Sequence, residues 1–321
     1  MRELTYSAAR AEALVTALRE NPRVVTFGDL RGPHDPPNGI AEQFGDRLFE
    51  PPISETAYIG AAAGLALTGW RPFCDTHTSS FMFTGFDQVV NEAPNFRYMS
   101  GGQVCVPLVL RIVSGVRGGA GAQHSHCPER WLMSVPGLKV FKPSTPYDVK
   151  GLFLAAMADD NPVIFVDHVK LGSIRGNVPE EAYRIPLGVA EVKREGGDVT
   201  LVAAGLMVHR ALEAAEQLAA EGVSAEVLDV RTLKPLDRAA IVASVSKTGR
   251  VVVVDEGPAT AGLAAEVGAL VAEECLSSLK APLRRVCMPD APVPYSPPLE
   301  ESLVPTAAAV IAAVHELVRA Q

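Results

Sequence analysis

Residues 54–75 read SETAYIGAAAGLALTGWRPFCD, and the order of signals in this stretch decides the fold. Ser54 suits the N-cap of a helix, Glu55 its electropositive first turn, and Gly69 the left-handed position just past its end. The alanine-rich stretch between them favours a buried helix. Pro72-Phe73-Cys74-Asp75 then reads as a short strand. The same alternation extends outward. Residues 24–27 (VVTF), 106–112 and 163–166 have the composition of buried strands, and helical patterns run through Leu14, Val15 and Leu18 and over 147–158. Strands separated by helices indicate a parallel sheet with covered faces.

A run rich in Gly, Pro and charge lies between 172 and 197, containing GSIRGNVPEEAY and KREGGD. Beyond it the alternation restarts, with strands at 199–203, 225–230, 250–255 and 284–288. Helices are expected at 208–220, 263–279 and 306–318, and the Pro-rich segment 289–298 reads as a surface excursion. The fold class is therefore α/β, as two consecutive parallel-sheet domains at 1–175 and 198–321 joined by a linker at 176–197. A chain of 321 residues suits two domains of about 150 each.

Composition narrows the function. With 48% hydrophobic and 21% charged residues, wholesale disorder is excluded. The 29 basic and 37 acidic residues leave a net charge of −8 with no basic run, which argues against nucleic acid. Apolar runs such as 60–67 fall short of the ~20 residues that cross a bilayer, and the first twenty residues mix charges as no signal peptide does. The five cysteines are odd in number and include no CxxC. They read as reduced thiols of a cytoplasmic protein, with neither a disulfide framework nor a zinc site.

Chemistry has few places to sit. Gly115-Val116-Arg117-Gly118-Gly119-Ala120-Gly121 follows a strand, but His124 replaces the third glycine of GxGxxG, and no P-loop exists. The glycines allow close backbone approach, with His124, Ser125 and His126 at the end of the loop. Ser125 lacks a GxSxG setting and the histidines lack a third ligand at metal spacing. A histidine able to shuttle protons near neutral pH remains, although loop histidines are also commonly just solvated. Glu55 is the second pointer, and by itself reads equally as a partner of the helix dipole.

The stretches PPISETAYIGAAAGLALTGWRPFCDTHTSSFMFTGFDQVVNEAPNFRYMSGG, VPLVLRIVSGVRGGAGAQHSHCPERW, DVTLVAAG, EVLDVRTLKPLD, VVVVDEG and PDAPVPY resemble the beta subunit of the thiamine-diphosphate-dependent 2-oxo acid dehydrogenases. These are the decarboxylating components of the pyruvate, branched-chain and acetoin dehydrogenase complexes. The resemblance implies a thiamine-diphosphate pyrimidine-binding domain followed by a transketolase C-terminal-like domain. It implies that Glu55, from the PISE motif, hydrogen-bonds N1′ of the cofactor's aminopyrimidine, and that Phe81 packs on that ring. It implies that His124, in QHS, donates a proton to the intermediate or assists acyl transfer to a lipoyl group.

Ile40-Ala41-Glu42-Gln43, preceded by Gly39, offers a rival carboxylate, since GIAEQ carries that role in other transketolase relatives. There the motif runs directly into an AAGLA helix and an RP-initiated strand, and here those follow Glu55, so Glu42 reads as a surface residue. The superfamily holds Mg2+ and diphosphate through a GDG motif that this chain lacks. The resemblance therefore implies an alpha subunit carrying that motif in an α2β2 assembly, docked on a lipoyl acyltransferase core. It also implies a structural K+ at Leu108, Ala156, Asp159 and Asn161, against which 159–162 reads simply as a turn.

Three departures bear on substrate. The family's GED reads Gly28-Asp29-Leu30, the loop at 31–39 is shortened, and His77 and His126 stand where apolar and amide residues are usual. Both histidines are therefore expected at the substrate pocket, with His77 also near the cofactor, and to favour an acceptor more polar than pyruvate or differently processed. The sequence points to an oxidoreductase subunit that cleaves a 2-oxo acid or acyloin and transfers the acyl unit to lipoamide. The alternatives are a split transketolase-like enzyme moving a ketol or acyl unit without lipoamide, and a non-catalytic scaffold, which the retention of Glu55, Phe81 and His124 disfavours.

Overall fold

The computed structural model describes residues 1–28 and 40–319. Asp29, Leu30 and the 31–39 loop lie outside the described residues. The chain forms two compact units, Met1–Ser114 with Trp131–Leu187, and Gly115–Arg130 with Gly188–Gln321.

In the first unit β1 (Arg2–Thr5) leads to α1 (Tyr6–Glu20), capped by Thr5, whose hydroxyl accepts from Ala8 N at 3.2 Å. Then come β2 (Val24–Phe27), α2 (Ile40–Phe44), β3 (Leu48–Phe49), α3 (Glu55–Leu67) and β4 (Arg71–Thr78). They are followed by α4 (Phe96–Met99), β5 (Val109–Val113), α5 (Glu129–Met133, whose first two residues count with the second unit), β6 (Lys139–Phe141), α6 (Pro146–Ala158), β7 (Val163–Asp167) and β8 (Arg175–Val178). Within this unit the strands run in the order β6-β7-β5-β4-β2-β3, every neighbouring pair parallel. β1 pairs antiparallel with β8, Arg2 opposite Val178.

β2, β5 and β7 are buried along their whole length, as strands covered on both faces must be. Helices α1 and α6 pack together, and Phe153 of α6 meets Phe73 of β4 and Phe165 of β7 edge-on, with centroids 5.2 and 5.5 Å apart. Burying each such ring stabilises by about 1.5–3 kcal/mol. β5 starts three residues later than the sequence suggests, because Pro107 has no N–H to give to a ladder. β4 instead runs on past Asp75 to Thr78.

The second unit contains β9 (Glu191–Arg194), β10 (Val199–Ala203), α7 (Leu206–Ala220), β11 (Ala225–Asp229), β12 (Thr232–Lys234) and α8 (Arg238–Thr248). It continues through β13 (Val251–Pro258), α9 (Leu263–Glu274), β14 (Arg284–Met288), α10 (Pro297–Leu303) and α11 (Ala307–Arg319). Its sheet has the order β14-β13-β10-β11-β9, parallel except for β9 at the edge. The helix expected over 263–279 ends at Glu274, with a 3-10 turn at Leu276–Ser278. Pro297–Arg319 is long and apolar enough to cross a membrane, which reading the apolar runs separately missed. It is nevertheless two helices, interrupted at 304–306, and α11 buries Val310, Val314 and Leu317 while packing on α7 and β14.

Candidate active site

Glu55 is the first residue of α3, at the helix end where backbone N–H groups point outward. Ser54 holds the N-cap position, but its hydroxyl makes no capping bond. The turn is braced from outside by the 3-10 segment Ser79–Gly85. Thr56 Oγ1 donates to the Thr84 carbonyl at 2.5 Å, and Thr84 Oγ1 lies 3.2 Å from Glu55 Oε2 and 3.0 Å from the Phe81 carbonyl. A hydroxyl has one proton, so Thr84 donates to one of these oxygens at a time. Gly85 permits the close approach, since a Cβ there would lie 2.8 Å from Ile59 Cδ1 and 3.1 Å from the Glu55 carbonyl oxygen. Phe81, on the same brace, is 39% exposed. Glu55 and Phe81 are thus brought together through Thr84, whereas Glu42 lies exposed on α2.

His77 sits near the end of β4 in left-handed backbone, φ 54°, where the pairing with β5 shifts register between Asp75 and Thr78. Its N–H donates to Asp75 Oδ1 at 2.8 Å. Asp75 Oδ2 accepts from Arg111 at 2.6 Å, Arg111 Nε donates to Asp167 Oδ2 at 2.8 Å, and Asp167 also pairs with Arg10. Burial alone would push the Asp75 carboxyl up, but Arg111 and then His77 hold it below its ordinary range. Asp167 is also buried, and Arg10 and Arg111 hold its carboxyl far below that range. The conformation of His77, uncommon for a non-glycine residue, is therefore fastened to a buried run of alternating charges.

His124 and His126 belong to the second unit. Gly115, Gly118, Gly119 and Gly121 all have positive φ, and Gly115 N donates to the His126 carbonyl at 3.0 Å to close the loop at its base. Val116 N donates to Glu256 Oε1 at 2.8 Å, and the N–H groups of Gly118 and Gly119 donate to Glu300 at 2.7 and 2.6 Å. His124 ends a 3-10 turn, Ala122–His124, and α5 starts only at Glu129, so the glycines do not open an α-helix as a dinucleotide fold would need. Ser125 Oγ is buried without a hydrogen-bond partner among the described residues. Burial, and after it the charge of Arg130, lower the pKa of His126, which favours its neutral form.

At the four positions considered for K+, the oxygens already accept hydrogen bonds. The Leu108 carbonyl takes Val163 N at 2.8 Å and the Ala156 carbonyl takes Asp159 N at 3.1 Å. Asp159 pairs with Lys139 and accepts both nitrogens of Asn161, whose Oδ1 takes Arg97 at 3.0 Å. Gly197 and Asp198 form a turn closed on Ser224. Among the described residues no group of three or more His, Cys, Asp or Glu is placed to hold a metal.

Reading the sequence missed Thr84, the Asp75–Arg111–Asp167 run, Glu256 and Glu300. Arg111 left a signal: a guanidinium inside the apolar run VPLVLRIV needs buried anionic partners. Glu256 and Glu300 left none, because the backbone amides they accept from lie far away in the chain.

Residues 2–173 match the pyrimidine binding domain of transketolase and residues 188–310 its C-terminal domain. The chain is 43% identical to the acetoin:2,6-dichlorophenolindophenol oxidoreductase subunit beta of Cupriavidus necator, over 99% of this chain and 98% of that one. It is 40% identical to the mitochondrial pyruvate dehydrogenase E1 component subunit beta-1 of Arabidopsis thaliana, over 95% and 86%. It is 38% identical to the 2-oxoisovalerate dehydrogenase subunit beta of Bacillus subtilis, over 99% of each. Among solved structures, a split gene transketolase, described as an inactive beta4 tetramer, superposes with a TM-score of 0.82 at 29% identity over 98% of both chains. The chain accordingly belongs to the beta subunits of the thiamine-diphosphate-dependent 2-oxo acid and acetoin dehydrogenases, an oxidoreductase family built from a transketolase pyrimidine-binding and a transketolase C-terminal domain.

Proposed function

We propose that this chain works with an alpha subunit to cleave a 2-oxo acid, or an acyloin such as acetoin, and to pass the acyl unit to lipoamide on an acyltransferase core. The observation that carries the reading is the Glu55 turn: a carboxylate at a helix start, with a hydroxyl on one oxygen and a half-exposed phenyl ring on the same brace. That donor set fits an aminopyrimidine, which needs an acceptor for a protonated ring nitrogen and a flat apolar surface. Bound thiamine diphosphate supplies a carbon nucleophile and an electron sink for carbon–carbon cleavage. Glu55 accepts the hydrogen bond of N1′ and holds the proton there, with Thr84 fixing the carboxylate and Phe81 orienting the ring. His124 exchanges a proton with the substrate oxygen, and His77 and His126 contribute polar groups that select the substrate. The alpha subunit holds Mg2+ and the diphosphate. A cytoplasmic setting goes with this reading, since five cysteines, odd in number and with no CxxC, suit a reducing compartment.

Calorimetry of thiamine diphosphate with this chain alone and with the alpha subunit tests the split site. Tight binding is expected only with both, and micromolar binding by this chain alone would overturn it. The likeness to a split gene transketolase favours a second reading, transfer of a ketol or acyl unit without lipoamide. Turnover that needs lipoamide or an artificial oxidant, and is indifferent to an aldose acceptor, decides for the first.

A further inference from the structure

The loop that carries His124 has two backbone bonds of its own, Gly115 N to the His126 carbonyl at 3.0 Å and His124 N to the Gly121 carbonyl at 3.3 Å, and is otherwise held from outside. Four of its glycines occupy left-handed backbone, with φ between 71° and 87°, where ordering costs the most conformational freedom. Three of its amides, those of Val116, Gly118 and Gly119, are satisfied by carboxylates outside the loop. Glu300 is 2% exposed and gives one oxygen to each of two successive amides, the way consecutive left-handed N–H groups bind an anion. The segment leading to it covers the same loop. A Cβ on Gly121 would lie 2.5 Å from the Tyr295 ring, and one on Gly119 would lie 3.4 Å from the Tyr295 carbonyl oxygen. The Pro-rich excursion therefore ends as a clamp.

We propose that Glu300 is a positioning residue that sets the placement of His124 by fixing the amides of Gly118 and Gly119. Glu256 fastens the start of the loop, and the Gly115–His126 bond closes its base. The proposal rests on the reading of His124 as the residue that exchanges a proton with substrate.

Hydrogen exchange of the full chain, with NMR titration of the His124 ring, reads the clamp without cofactor. Glu300→Ala is expected to raise exchange over 116–126 by about tenfold or more, to shift the His124 titration, and to leave β10 and α7 protected. Glu300→Gln, which keeps one acceptor oxygen, should recover part of the protection, and Glu301→Gln on the same helix should change nothing. In the assembled enzyme with thiamine diphosphate, Glu300→Ala should lower kcat about 10- to 100-fold with KM little changed. Unaltered exchange and titration would overturn the clamp, and a loosened loop with unaltered kcat would overturn the positioning role. If the alanine variant does not fold, Glu300→Gln decides by the same exchange readout. A wild-type assembly without thiamine-diphosphate turnover would count against the proposed function alone, since exchange and titration still judge the clamp.

Discussion

The Glu55 turn and the His124 loop each present an ionisable side chain, and they are held in opposite ways. Glu55 stands on a helix, and its bracing hydroxyl is 29 positions on. His124 stands on a loop whose amides are gripped by carboxylates 140 to 182 positions on. The first is placed by the regularity of an element, the second by tertiary contacts that exist only in the completed fold. A side chain on a helix end therefore tolerates remote substitutions that one on a braced loop does not.

Four experiments probe that contrast. The largest effect is expected at Glu55. Glu55→Gln should keep the melting temperature and slow C2–H exchange of bound thiamine diphosphate about 10²- to 10⁴-fold in the assembled enzyme. Unchanged exchange would remove Glu55 from the mechanism and break the comparison at its root, whereas Glu42→Gln should be nearly silent.

Next comes Arg111→Met, which leaves Asp75 and Asp167 buried without the cation between them. Breaking such a run by removing one partner costs about 3–5 kcal/mol, read from urea unfolding. The pH dependence carries a sign. Both carboxyls have folded-state pKa values below the ordinary ~4, so their stabilisation is present above pH ~4 and is lost as pH falls through the folded values. The gap between wild type and Arg111→Met should therefore narrow on acidification. A gap independent of pH would show that the charges are not what holds these strand ends.

Gly85→Ala asks how tightly the brace must sit on α3. Ile59 Cδ1 can swing away but the Glu55 carbonyl cannot, so a loss of about 1–3 kcal/mol in thermal unfolding is expected. Full stability would mean that the brace is looser than its contacts imply.

The smallest effect on stability is expected from His77→Asn combined with His126→Gln. Asparagine tolerates the left-handed backbone at position 77, which methionine would not, so stability should move by less than about 1 kcal/mol. If these histidines select substrate, the rank order over a panel of 2-oxo acids and acetoin should nonetheless change. An unchanged order would return both to the role of solvated side chains.

The helix at Glu55 was legible because its signals are local: an acidic first turn, an alanine-rich body and a glycine at φ 90° just past the end. The strands were legible for the same reason, apart from edges such as the start of β5, where one proline moved the boundary. What the sequence withheld depends on partners across long separations. The brace shows this on a small scale, since Thr84 reads as one hydroxyl among several in THTSSFMFTG until the fold lays it against Glu55. Glu256 and Glu300 show it fully. A buried acidic residue answering backbone amides leaves no charge of opposite sign to look for.

Family boundaries follow the chain, at 2–173 and 188–310, but compactness does not, because Gly115–Arg130 belongs with the second unit. The segment thus acts as a graft: encoded in one half of the gene and rooted in the other. A fragment cut at the linker would keep His124 and lose both of the carboxylates that grip its loop. Recombination between relatives at that seam would inherit the loop of one parent with the supports of another.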